Sequence, residues 1–147
     1  LSHQFTLVCS NLSSLATYAK VDNIAYRILR QLTPGPYTFI LAATSEVPRL
    51  LMDPKRKAIG LRVPGNTIAQ ALLSELADPL MSVTLSLPHN DNYLTDPSEI
   101  RSELANDVDA VIDGGYCGTQ ATTVIDLLGK FPRVIRVGKG DITLFEE

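Results

Sequence analysis

Seven residues, Tyr37-Thr38-Phe39-Ile40-Leu41-Ala42-Ala43, constrain the fold of this chain more than any others. The run is short and almost wholly apolar, which predicts a central strand covered on both faces. Pro34-Gly35-Pro36 precedes it and stops any helix on its N-terminal side. A central strand needs neighbours, so the rest of the chain is read for what can flank it.

Short strand-like and helix-like segments alternate along the whole sequence. Phe5 to Cys9 alternates and is rich in β-formers, predicting a strand. Asn11 and Ser13 supply helix-start chemistry for a helix near Leu12 to Ala19. Asp22 can cap a second, with Ile24, Ala25, Ile28, Leu29 and Leu32 as one apolar stripe. After the central strand come a short helix around Pro48 to Met52, the basic turn Lys55-Arg56-Lys57 and a strand from Ala58 to Val63. Thr67 and Gln70 have capping-box spacing ahead of the stripe Ile68, Ala69, Leu72, Leu73 and Leu76. Leu80 to Leu85 is a further predicted strand, and Pro88 to Thr95 a polar loop. Asp96-Pro97-Ser98-Glu99 starts a helix that Ile100, Leu104 and Val108 continue. Asp107 to Asp113 alternates acidic and apolar side chains as a half-buried strand would, and Gly114-Gly115 ends it. Thr122 to Leu128 and Arg133 to Val137 are the last predicted strands. The pattern specifies an α/β layered fold. Its closing strands have little helix between them, so the sheet is expected to be mixed.

Bulk properties narrow the function classes. A chain of 147 residues, 45% of them apolar, can bury one good core and suits a single domain, 1–147. The formal net charge of -3 argues mildly against a nucleic-acid-coating protein, though it says little about a local positive cleft. No apolar run approaches the roughly 18 residues of a membrane span. Two cysteines, Cys9 and Cys117, are too few for a disulfide scaffold; free thiols in a reducing compartment predict a cytoplasmic protein. His3 and His89 are isolated and no ligand cluster has metal spacing, so no protein-built zinc site is expected. Cys117 has no base near it in sequence and is read as a buried or semi-exposed thiol.

Several polar residues sit on the predicted strands. Ser82 and Thr84 are two apart, so both hydroxyls face one side of a strand. They can bond phosphate oxygens at a strand's carboxyl end, or fill tight spots beside a helix. Arg62 lies inside Ile59-Gly60-Leu61-Arg62-Val63 and Arg136 inside Val134-Ile135-Arg136-Val137. Each guanidinium keeps its charge, so it faces either an anion in a cleft or solvent at an edge. Thr122 and Thr123 open a strand and point opposite ways, so at most one looks into a given cleft; Asp126 shares the side of Thr122 and Val124. Lys55-Arg56-Lys57 is a solvated turn or a phosphate-contacting patch. There is no phosphate loop of the GxxxxGK[ST] type and no dinucleotide fingerprint.

Taken in order, the motifs resemble those of the YrdC/YciO-like superfamily, the threonylcarbamoyl-AMP synthases and relatives, and most closely its YciO-type branch. Pro34 to Thr38 matches the Pro-Gly-Pro-x-Thr turn, and Arg62-Val63 the strand ending in Arg-Val. Ser82, Thr84 and Ser86 stand where the family has Ser-x-Ser-x-Asn. Asp113 to Gly115 and Thr122 to Asp126 match Asp-Gly-Gly followed by Ser-Thr-Val-Val-Asp, and Arg136 with Gly138 matches the late strand with Arg before Gly. The sequence departs at Ser86, which replaces the motif's Asn, and at Thr84, a drift shared by YciO-type members.

The resemblance implies a YrdC-like twisted mixed sheet flanked by helices, with a concave, positively charged cleft. It also implies a front strand-helix-strand portion, carrying a Pro-Thr segment and a Lys-x-Arg motif, that in family members precedes the residue matched by Leu1. The implied activity joins ATP, L-threonine and bicarbonate into threonylcarbamoyl-adenylate plus pyrophosphate, with Mg²⁺ arriving on the nucleotide. Partner proteins then pass the group to tRNA. By this analogy Arg62, Ser82, Thr84, Thr123 and Arg136 contact nucleotide or phosphate, and Thr38 and Thr122 contact substrate; no side chain is assigned as catalytic or as a metal ligand. Two other readings stand beside it. One is a module of the same fold that holds RNA without turnover; the other is a carbamoyl-phosphate-handling relative, as in hydrogenase maturation proteins.

Overall fold

The structure is a computed structural model that describes residues 5–85 and 94–146. The chain divides into two compact units, one built from residues up to Val83 together with those from Ala121 onward, the other from Thr84–Gln120.

The first unit holds a six-stranded mixed sheet. Its strands are β1 (Thr6–Val8), β2 (Tyr37–Ala42), β3 (Ala58–Arg62), β4 (Leu80–Ser82), β5 (Thr123–Asp126) and β6 (Arg133–Arg136), in the order β4-β1-β3-β2-β5-β6. β1 runs parallel to β3 and β2 to β5; the other three pairings are antiparallel. The predicted central strand β2 is indeed flanked on both sides. Only one of its faces is fully covered, however. Tyr37, Phe39 and Leu41 are buried, while Thr38, Ile40 and Ala42 on the other face are half-buried. The apolar run concealed this alternation, because Ile40 and Ala42 are apolar residues on the more open side.

Two helices, α1 (Leu12–Tyr18) and α2 (Asn23–Leu32), cover the buried face. Leu15 of α1 and Ala25, Ile28 and Leu29 of α2 join Leu7, Phe39, Leu41, Ile59, Leu61 and Ile125 in one core cluster. Asn11 and Asp22 cap these helices by accepting from the N–H groups of Ser14 and Ala25, both at 2.8 Å. A third helix, α3 (Thr67–Leu76), starts one residue earlier than the capping-box spacing implied. The Asn66 side chain accepts from Ile68 and Ala69, and Gln70 instead donates to the carbonyl of Pro64 at 2.7 Å. Cys9 is buried in the core, and burial pushes its thiol up to about 11, partly offset by a hydrogen bond with Ser14.

The second unit carries α4 (Pro97–Leu104), capped as predicted by Asp96, whose side chain accepts from Ser98 at 2.9 Å. Two expectations fail here. The strand expected from Leu80 to Leu85 ends at Ser82, and Asp107 to Asp113 forms no strand. Alternation gives a segment the capacity to pair, but a strand exists only beside another strand. Among the described residues nothing pairs with 107–113, and its residues other than Val111 are exposed. Cys117 is exposed, more open than the buried or semi-exposed thiol expected. Ser86, His3, His89 and residues 88–93 of the predicted loop lie outside the described residues.

Candidate functional site

Strand register decides which of the predicted residues meet. Thr6 pairs with Ser82 on one side and Gly60 on the other; Val8 pairs with Arg62. Phe39 pairs with Leu61, and continuing that antiparallel register by one residue sets Thr38 opposite Arg62. Thr38 pairs with Val124, and Val124 with Arg136. Cross-strand partners share a face, so Thr6, Thr38, Arg62, Ser82 and Arg136 all lie on the side of the sheet away from α1 and α2. Arg62 and Arg136 are three strand spacings apart, roughly 14 Å between backbones.

Hydrogen bonds organise one end of this row. The hydroxyls of Thr38 and Thr122 are 2.8 Å apart. Arg136 donates to the Thr122 carbonyl from Nε (3.1 Å) and Nη2 (2.8 Å), and from Nη2 to the Thr122 hydroxyl at 3.1 Å. A bulge at Ile135 separates the pairings Val124–Arg136 and Ile125–Val134, and so brings Arg136 onto the face of Thr38. Arg136 remains exposed. At the other end the Ser82 hydroxyl donates to the carbonyl of Thr6 at 3.3 Å.

Arg62 is different. It is half-buried, its Nε is buried, and that Nε makes no hydrogen bond among the described residues. Burial draws its pKa down. A guanidinium that cannot discharge and has no counterion among the described residues suits an anionic ligand.

Two predicted residues stand apart from this group. Thr123 lies on the opposite face and is wholly buried. Its hydroxyl donates to the carbonyl of Gly140 at 2.7 Å and accepts from the N–H of Gly138 at 2.9 Å. It ties the C-terminal segment to β5 and has no route to a ligand. Gly138 is needed there, because a Cβ would run into the carbonyls of Ala121 and Thr122. Thr84 follows the end of β4, where alternation no longer fixes side-chain direction; it is exposed and belongs to the second unit.

Sequence reasoning missed Thr6 and Gly60 on the polar face, and also the partner of Arg56. Arg56 donates to the buried Asp126 carboxylate at 2.6 Å, with Arg133 at 3.6 Å. Burial works to raise the Asp126 pKa, but bonds from Arg56 and the Leu128 N–H, with the charges of Arg56 and Arg133, hold it below the usual range. The basic turn is therefore partly a structural clasp. A crevice of about 450 Å³ opens beyond β1 and β3, lined by Ser10, Asn11, Arg30, Val63, Pro64 and Gln70 among others. It includes none of Thr38, Arg62, Thr122 or Arg136, so the polar face, whose Arg62 has no partner among the described residues, is the better candidate.

The comparisons with known proteins agree with this layout. The Sua5/YciO/YrdC family model, described as telomere recombination, matches residues 1–138. The chain belongs to the Sua5/YciO/YrdC family. YciO of Escherichia coli is 52% identical over 143 residues, which span 97% of this chain and 69% of that protein. Its crystal structure matches with a TM-score of 0.92, covering 98% of this chain and 70% of that one. A Methanocaldococcus jannaschii protein with the provisional name threonylcarbamoyl-AMP synthase is 27% identical over 133 residues, or 90% of this chain and 60% of that one. Sua5 of P. abyssi, solved in complex with L-threonine, shares the fold with a TM-score of 0.81 at 22% identity, over 92% of this chain and 40% of that one. The mixed sheet with flanking helices is thus the family fold.

Proposed function

We propose that the polar face binds MgATP and supports the condensation of an amino acid, bicarbonate and ATP into a carbamoyl-adenylate with release of pyrophosphate. Arg62 is the single observation that carries this reading: a partly desolvated cation with no anion beside it among the described residues, in one row with Thr38 and Arg136. The face offers guanidinium and hydroxyl donors, which suit phosphate oxygens, and Asp126, the one carboxylate on its described strands, is held by Arg56. Among the described residues no three His, Cys, Asp or Glu side chains group as metal ligands, so Mg²⁺ enters this reading as part of the triphosphate substrate.

The chemistry asks little covalent help of the protein. The amine and bicarbonate form a carbamate with loss of water. A carbamate oxygen then attacks the α-phosphorus of ATP, its new O–P bond forming as the bond to pyrophosphate breaks. Rate comes from alignment and from donors placed where charge develops on the phosphates. In this reading Arg62 and Arg136 hold phosphate oxygens, and Thr38, Thr122 and Ser82 supply hydroxyl contacts. L-threonine is the amine to test first, because it is the ligand bound to P. abyssi Sua5. Pyrophosphate release is to be followed with ATP, L-threonine and bicarbonate each omitted in turn. Release that ignores threonine would remove threonine as substrate, and none with any amino acid would remove the reaction.

RNA binding without turnover is a second reading, favoured by how charge is distributed. Residues 84–120 carry seven acidic side chains against one basic, leaving the remainder of this net -3 chain at +3. RNA retention that falls steeply with salt, with no pyrophosphate released, is the result that would favour it.

A further inference from the structure

Two turns come together at the end of the sheet where β2 and β5 finish. One, residues 53–57, leads into β3; the other, 127–132, joins β5 to β6. They meet through Asp126, whose carboxylate takes Arg56 at 2.6 Å and Arg133 at 3.6 Å. Residues 53–57 and 126–133 together hold five cations, Lys55, Arg56, Lys57, Lys130 and Arg133, against two carboxylates. Both carboxylates are occupied: Asp126 is buried, and Asp53 accepts from the N–H groups of Lys55 and Arg56 at 2.9 and 3.2 Å. Lys55, Lys57 and Lys130 are exposed and form no ion pair among the described residues. Phe131 stands in the second turn, 74% exposed, with Lys130 Nζ 5.6 Å from its ring centroid. Lys57 supplies an independent observation. Its φ is +50°, in the left-handed region that a side chain with a Cβ disfavours. The turn is closed by bonds from the Lys57 N–H to the Asp53 carbonyl and from the Asp53 N–H to the Ala58 carbonyl, both 2.8 Å. Glycine would relieve that position, so a lysine there keeps its charge at a conformational cost.

We propose that this end of the molecule docks an unpaired stretch of RNA, its phosphates on Lys55, Lys57, Lys130 and Arg133 and one base stacked on Phe131. The uncompensated charge suits a polyanion, and an open aromatic ring set among cations suits the face of a base. Stacking of this kind needs a base free of a duplex, and unpaired stretches are ordinary in RNA. A membrane surface fits less well, because Phe131 is the one exposed large apolar side chain in the two segments. The dock is separate from the phosphate residues of the polar face. Ala58, next to Lys57, lies four residues and roughly 13 Å along β3 from Arg62. The proposal therefore rests neither on the nucleotide reading nor on RNA contact through Arg62, and it leaves the polar face free for ATP.

The test is fluorescence anisotropy of a labelled oligouridylate of about a dozen nucleotides, titrated with the wild-type chain, Phe131→Ala, Lys57→Gly and Arg62→Ala. Phe131→Ala should weaken binding about tenfold, the value of one stacked base. Lys57→Gly should melt at or above the wild-type temperature, because glycine accepts the turn's backbone without strain. It should also flatten the log–log salt slope by about 0.7, from a wild-type value of about -3 for four phosphates. Arg62→Ala should bind the oligonucleotide as the wild type does. Annealing the probe to oligoadenylate should abolish the effect of Phe131→Ala. If Arg62→Ala loses the oligouridylate while Phe131→Ala and Lys57→Gly keep it, RNA lies on the polar face and the dock is wrong. Phe131-dependent binding to phosphatidylserine vesicles, with none to the oligouridylate, would make this a lipid surface and overturn the proposal. So would a wild type that fails to bind the probe even at low salt, and the nucleotide reading would be untouched by that result.

Discussion

At the scale of single residues, Arg62 and the Thr122–Thr123 pair separate binding from stability. Arg62 is partly desolvated and has no partner among the described residues, so replacing it with Met removes a cost as well as a function. Arg62→Met should abolish measurable phosphate binding while leaving the chain as stable as before, or more so by up to about 1 kcal/mol in urea titration. The neighbouring threonines should behave oppositely. Thr123→Val leaves the Gly138 N–H and Gly140 carbonyl without their partner and should cost roughly 2–3 kcal/mol. Thr122→Val should change stability by under about 1 kcal/mol and lower ATP affinity. Alternation alone said that the two hydroxyls diverge. Which one faced the ligand depended on where α1 and α2 pack, information that lies tens of residues away. Thr6 and Gly60 went unremarked for the same reason, since neither has meaning until β1 and β3 are paired.

At the scale of elements, caps and clasps carry the testable content. Asn66, not Thr67, accepts the first free N–H groups of α3. Asn66→Ala should therefore destabilise by about 1 kcal/mol, and Thr67→Ala by only a few tenths. The capping-box spacing of Thr67 and Gln70 was legible but offset by one, because Gln70 is held by the Pro64 carbonyl instead. The clasp between the basic turn and the end of β5 predicts a pH effect. Asp126 has a depressed pKa, so its contribution is fully present above the ordinary carboxylate pKa and drains away as pH falls through the depressed value. Thermal melts from pH 7 downward should show the wild type losing stability below about pH 5 more than Asp126→Asn does. At pH 7 the variant should be weaker by about 1–3 kcal/mol. The sequence showed Arg56 only as one of three consecutive cations. Its partner lies seventy positions away.

At the scale of the whole molecule, two units of unlike chemistry share one chain. The sheet of the first places Phe39, Leu61 and Ile125 at its centre, all fully buried and laddered. In the second, residues 109–114 are almost entirely exposed and none is in a strand. Hydrogen exchange should therefore find the amides of 109–114 exchanging within seconds at neutral pH, and those of β2, β3 and β5 protected to the level of global unfolding. Protection across 109–114 would contradict the unpaired arrangement. The acidic residues of 84–120 also explain why the overall charge of -3 was a poor guide to partners. A sum over both units hides the positive balance of the one that bears Arg62 and Arg136.

What the sequence determined on its own was local: the strand and helix segments, the caps at Asn11, Asp22 and Asp96, and the ordered motifs that mark the family. These depend on residues within a few positions of one another, and short-range sterics and hydrogen bonding suffice to set them. The tertiary structure decided the rest. It chose which face of β2 stays open and turned Thr123 into a tether for the C-terminal segment. It left Arg62 without a counterion among the described residues. Those outcomes depend on strand register and on which side the helices cover, and both are settled only when distant segments compete for the same buried surface.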